Sequence, residues 1–85
     1  MTLLITHDVD DVEHWLASPK REEFFGPHGI TTRTCIDSDR SNQVGLIVEV
    51  PDMNTLRQAL ATPEAADAMK YDGVRPDTLH IMTAT

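Results

Sequence analysis

Four histidines and fourteen carboxylates are the groups along these 85 residues best suited to moving protons. Their densest grouping is His7-Asp8-Val9-Asp10-Asp11-Val12-Glu13-His14. On one continuous helix, His7, Asp10 or Asp11, and His14 would share a face, and two imidazoles with a carboxylate suit a divalent metal. That geometry fails if His7 closes a strand, which the alternation over residues 2–7 indicates: Leu3, Ile5 and His7 fall on one side and Thr2, Leu4 and Thr6 on the other. The acids that follow then read as helix caps and first-turn anions. His14 reads as a solvent-facing residue, and no metal is expected. His7 keeps a second chemistry, proton transfer near neutrality. Asp8 cannot orient it directly, because neighbours in an extended chain point to opposite sides.

The other reactive side chains are scattered. Arg33 alternates with Thr31 and Cys35 in a second extended stretch. It could form a cross-strand ion pair with Glu49, or bind an anion or enolate. Cys35, whose only basic neighbour is Arg33, reads as a small hydrophobe. Trp15 reads as a core anchor whose N–H could still face a cavity. Phe24, Phe25 and Tyr71 read as core wall first and pocket lining second, with the Tyr71 phenol the best functional candidate of the three. His80 sits between Leu79 and Ile81 in an extended run, and His28 in a Gly-Pro-His-Gly loop. There is no glycine-rich phosphate loop, nucleophile elbow or dinucleotide fingerprint.

The elements that must hold these residues are marked by caps and stops. Residues 43–50, Gln-Val-Gly-Leu-Ile-Val-Glu-Val, form a strand closed by Pro51. Val44, Leu46, Val48 and Val50 make one fully apolar face, as a central strand covered by helices requires. Val9, Val12, Trp15 and Leu16 set an apolar helical stripe over roughly residues 11–18. Ser18-Pro19 breaks that helix and starts a second piece over residues 20–25. Residues 30–36 form the second strand, joined to the third by a polar turn. Asp52 caps the next helix, Thr62-Pro63-Glu64 restarts it, and Gly73 stops it. The last strand spans residues 77–83. The order β-α-β-β-α-β predicts an α+β, ferredoxin-like domain over residues 1–85, with a four-stranded antiparallel sheet and its helices on one face.

Composition narrows the partners. Seven basic against fourteen acidic residues give a net charge of −7, which disfavours nucleic acid and anionic membrane surfaces. One cysteine excludes an internal disulfide framework and fits a reduced cytoplasmic setting. The first residues lack the basic and long apolar segments of a signal peptide. A chain this short buries only about 60–65% of its unfolded surface, so a partner subunit would help it.

Over nearly its whole length the chain resembles the dimeric α+β barrel superfamily, in particular small antibiotic-biosynthesis-monooxygenase-like and cyclase-like proteins. The matching pieces are Val9-x-Asp11 with Trp15, Gly29-Ile30 with Arg33, and Val48-Glu49-Val50-x-Asp52. The block from Thr62-Pro63-Glu64 to Met69 and Gly73-Val74 also match. The resemblance implies a homodimer whose two sheets face each other as a barrel, with a small cavity in each subunit between sheet and helices. It implies oxidation or cyclisation of a small, mostly apolar or aromatic molecule without a cofactor. A haem-degrading branch would use a histidine on the second helical segment, and residues 52–72 contain none. In such an enzyme His7 would be the base, with Arg33 or His80 as oxyanion stabiliser. Trp15, Phe24, Phe25 and Tyr71 would line the cavity, Tyr71 with a catalytic role. The competing expectation is a non-catalytic dimeric module that binds a small ligand or a partner protein. One polar group in an apolar cavity would favour binding; two or more converging there would favour chemistry.

Overall fold

The computed structural model describes all 85 residues. Along the chain run β1 (Thr2–Val9), α1 (Val12–Ala17), α2 (Lys20–Phe25), a 3-10 turn (Gly26–His28), β2 (Thr31–Ile36), β3 (Gln43–Glu49), α3 (Met53–Leu60), α4 (Pro63–Asp72) and β4 (Val74–Thr83). The strands pair antiparallel in the order β2-β3-β1-β4. With both helical segments on one face, this is the ferredoxin-like arrangement that the element order predicts.

The cap residues act where the sequence puts them. Asp11 accepts from the His14 N–H at 3.2 Å, and Asp52 from that of Thr55 at 2.7 Å. The Thr62 hydroxyl accepts from the Ala65 N–H, with Pro63 opening α4. Ser18 accepts from the Lys20 N–H across the break between α1 and α2. Gly73 ends α4 at φ 70°, a left-handed conformation in which a Cβ would also lie 3.3 Å from that of Asp10.

Burial alternates without interruption along β1, so that Leu3, Ile5, His7 and Val9 point under the helices. Across the pairing, Leu3 faces Val48, Ile5 faces Leu46 and His7 faces Val44. Trp15, Phe25 and Leu56 close over this surface from α1, α2 and α3 as one apolar core. Leu16, read as part of the apolar stripe, is exposed, and Val9 belongs to β1 rather than to the helix.

The last strand begins at Val74, earlier than expected, and carries Pro76 inside it. This is tolerated because β4 is an edge strand. Its register to β1 shifts between Thr6 and Asp8, and there the Thr78 hydroxyl takes the Asp8 N–H at 2.8 Å in place of a ladder bond.

The opposite face of the sheet has no helix over it. Arg33, Ile47, Leu4 and Met82 align across the four strands in one row, and Cys35, Gly45, Thr6 and His80 in the next. Leu4, Cys35, Ile47 and Met82 help to line a trough of about 560 Å³ on this face.

Leu56 is fully buried. Leu56→Ala should lower unfolding stability by about 2–5 kcal/mol, read as a lower urea midpoint with an unchanged m value. An unchanged midpoint would show that α3 does not close the core.

Candidate functional site

Because β1 alternates, its only titratable inward residue is His7, which is 4% exposed among aliphatic side chains. Its ring and that of Trp15 of α1 make a T-shaped contact, with centroids 5.8 Å apart and planes at 79°. The Arg21 guanidinium, reaching in from α2, lies 4.2 Å from the Trp15 ring centroid. Its Nη1 donates to Asp72 Oδ2 at 3.3 Å, and its Nη2 to the Leu16 carbonyl at 3.5 Å. Asp72 is the last residue of α4 and is 3% exposed. Four elements thus deliver an imidazole, an indole and a buried ion pair to one place.

These groups border a cavity of about 60 Å³ whose other walls include Ile5, Phe24, Phe25, Leu46, Leu60 and Met69. Two polar atoms of its lining residues, His7 Nδ1 and Asp72 Oδ1, are buried and have no hydrogen-bond partner in the protein. Each would cost about 1–3 kcal/mol if nothing satisfied it. Burial pushes the His7 imidazole below its ordinary value of 6.5. The Asp8 backbone opposes this, the charge of Arg21 adds to it, and the Asp8 and Asp72 carboxylates oppose it again. Burial also lowers the Arg21 guanidinium, against the pull of Asp72 and then Glu22, yet it remains the cation of the pair. A buried ion pair adds little stability over a hydrophobic pair of the same volume. The pair and His7 line the same cavity, and Asp72 and His7 each keep one buried polar atom without a partner.

His7, Trp15, Phe24 and Phe25 therefore share one cavity, but three of the other expected residues lie outside it. Arg33 and His80 are exposed on the open face of the sheet, opposite Ile47 and Thr6. The cross-strand pair of Arg33 with Glu49 is not formed: the register sets Glu49 opposite Thr31 and Thr2, and it accepts the Thr2 hydroxyl. Tyr71 is 51% exposed on the outer side of α4, stacked near His14 with Lys20 Nζ 5.2 Å from its ring. It cannot line the cavity, because Ala65, Ala68, Met69 and Asp72 are the α4 residues that do.

The grouping that suggested a metal is dispersed. His7 faces the core, Asp10 pairs with Arg75 at 3.0 Å, and His14 Nε2 lies 2.8 Å from the Tyr71 carbonyl.

Arg21 and Asp72 had a signal in the sequence. A cation in the first turn of a helix and an anion in its last turn both oppose the helix dipole. Such local conflict is expected where tertiary structure or function overrides propensity.

No family model matches the chain, and no curated protein matches it. Solved structures do. One described as an antibiotic biosynthesis monooxygenase superposes with a TM-score of 0.63 at 19% identity, over 100% of this chain and 99% of the other. A protein from Bacteroides thetaiotaomicron, provisionally given the same description, gives 0.65 at 20% identity, over 100% and 87%. Another from Deinococcus radiodurans gives 0.60 at 18%, over 100% and 93%. The fold is that of the antibiotic biosynthesis monooxygenase structures. At these identities the likeness is one of fold, and the side chains of the cavity must carry any argument about chemistry.

Because the native pKa of His7 lies below 6.5, the unfolded chain binds a proton more readily than the native one as pH falls below 6.5. Stability should therefore be full above that value and decline below it. Asp37 in the β2–β3 turn and the α3 cap Asp52 have lowered pKa values from their hydrogen bonds, chiefly to Ser41 and Thr55 respectively, and lose their contribution only as pH falls through 3.8 and lower. Urea midpoints from pH 7.5 to 5 should fall for the parent and fall less for His7→Leu. Equal slopes would show that His7 is not held neutral among Asp8, Arg21 and Asp72.

Proposed function

We propose that the chain is a small homodimeric protein whose protomer cavity takes up a small apolar or aromatic molecule and transforms it without a cofactor, by monooxygenase or cyclase chemistry. The observation that carries this reading is the convergence of His7 with the Arg21–Asp72 pair in one otherwise apolar cavity. A neutral imidazole with an unpartnered nitrogen is suited to accept a proton from a phenol or an activated C–H. The imidazolium so formed would balance the anion left behind, and Asp72 would steady that imidazolium. The aromatic and aliphatic walls keep bulk water from competing. The fold neighbours described as antibiotic biosynthesis monooxygenases support this reaction class by analogy.

Size decides how a guest enters. A pocket for a drug-sized ligand spans roughly 300–1,000 Å³, far above the ~60 Å³ here. Phe24 and Ala68 border both the cavity and an outer groove of about 670 Å³ between α2 and α4. A ligand of several rings would lie in that groove and reach His7 by displacing Phe24. The small volume favours a second reading, a non-catalytic module that holds a small ligand.

The dimer belongs to the same proposal. Leu4, Ile47 and Met82 leave an apolar band on a sheet face with no helix over it, which a second copy would cover. In a reduced cytoplasm Cys35, also on that face, would stay a thiol.

Light scattering after size exclusion should give a dimer for the parent, and Ile47→Glu should give a folded monomer. A clean monomer for the parent at micromolar concentration would overturn the barrel assembly. Screened for oxygen uptake against hydroxyarenes, His7→Ala should lose about 10²-fold or more of the parent rate, and Tyr71→Phe should keep it. An unchanged rate in His7→Ala would remove His7 from the chemistry, and a matching loss in Tyr71→Phe would bring the groove-lining Tyr71 into it.

A further inference from the structure

We infer that Asp72, held in place by Arg21, selects the guest: the cavity admits small molecules that present a neutral O–H or N–H donor at its polar end and refuses carboxylates. This rests on the reading that the cavity binds a small aromatic molecule. The polar wall groups differ in the hydrogen bonds they still have to offer. A carboxylate paired with a guanidinium is an acceptor only, and Asp72 Oδ1 has no donor from the protein. His7 Nδ1 is also unpartnered, but a neutral imidazole nitrogen can donate or accept according to its tautomer. His7 therefore sets no sign, and Asp72 does.

Arg21 does not reverse this preference. One edge of its guanidinium is taken by Asp72 Oδ2 and the Leu16 carbonyl, and its face lies against Trp15. An anion in the cavity would sit beside the Asp72 carboxylate, one of its lining groups, at low dielectric where like charges repel strongly. A hydrocarbon of the same shape leaves Asp72 Oδ1 unsatisfied. A donor-bearing guest alone satisfies it.

Phenol, toluene and benzoate share one ring, so the work of moving Phe24 to admit that ring is common to all three and cancels in their comparison. Titration of the whole protein with each, followed by amide chemical shifts around His7 and Asp72, should show saturable binding with phenol at least about tenfold tighter than either competitor. Equal affinity for phenol and toluene, or tighter benzoate, would overturn the selection rule while leaving the cavity as a binding site. No shift with any of the three at millimolar concentration would overturn both.

The double substitution Arg21→Met with Asp72→Leu removes the ion pair without leaving a lone buried charge, a change that folded proteins commonly tolerate. It should bind toluene more tightly than phenol. A retained phenol preference in that variant would show that Asp72 is not the selecting group. If it does not fold, the three-ligand comparison on the parent still decides.

Discussion

An imidazole placed by strand alternation among core aliphatics constrains everything built around it. His7 shares its side of β1 with Leu3, Ile5 and Val9, so it must be neutral and must find polar company where the surroundings offer little. The T-shaped contact with Trp15 answers part of that need, and the Arg21–Asp72 pair brings charge close without supplying a bond to Nδ1. The cavity follows from this arrangement. Its floor is the sheet and its walls are α1, α2, α4 and the end of α3, with the polar groups all entering from positions that the hydrophobic pattern would give to apolar residues.

The two faces of the sheet divide the work. Inward positions of β1 and β3 bury the core and hold the cavity, while the outward positions in the same strands present Leu4 and Ile47 to whatever covers them. A slip of one residue in either strand would exchange the two sets, so core, cavity and trough are fixed by a single register. The likeness to antibiotic biosynthesis monooxygenase structures extends over the full sheet and helices at 18–20% identity, which leaves room for wholly different side chains in the cavity.

Much of the architecture was legible in the sequence because capping is local. Asp11, Asp52, Thr62 and Gly73 each mark a helix end through a hydrogen bond or dihedral set within four residues. The start of β4 was obscured by Pro76, which argues against a strand until the sheet order makes that strand an edge. Half of the cavity lining proposed as a site was legible as well: His7 from alternation, Trp15, Phe24 and Phe25 from bulk. Tyr71 misled because an aromatic near a helix end attracts a functional reading, whereas the inward stripe of α4 runs through Ala65, Ala68, Met69 and Asp72. The Arg33–Glu49 pair failed for a register reason that strand sequences alone do not fix. Arg21 and Asp72 meet across 51 residues of chain, a separation that no local pattern encodes.

The proposed role of the cavity depends on His7 Nδ1 and Asp72 Oδ1 being left for a guest to satisfy rather than being satisfied by the protein. An atomic-resolution diffraction map of the protein tests this most directly. Ordered water or ligand density within hydrogen-bond distance of both atoms is the expected result. A map in which His7 bonds straight to Asp72, or side chains fill the space between α2, α4 and the sheet, would contradict it.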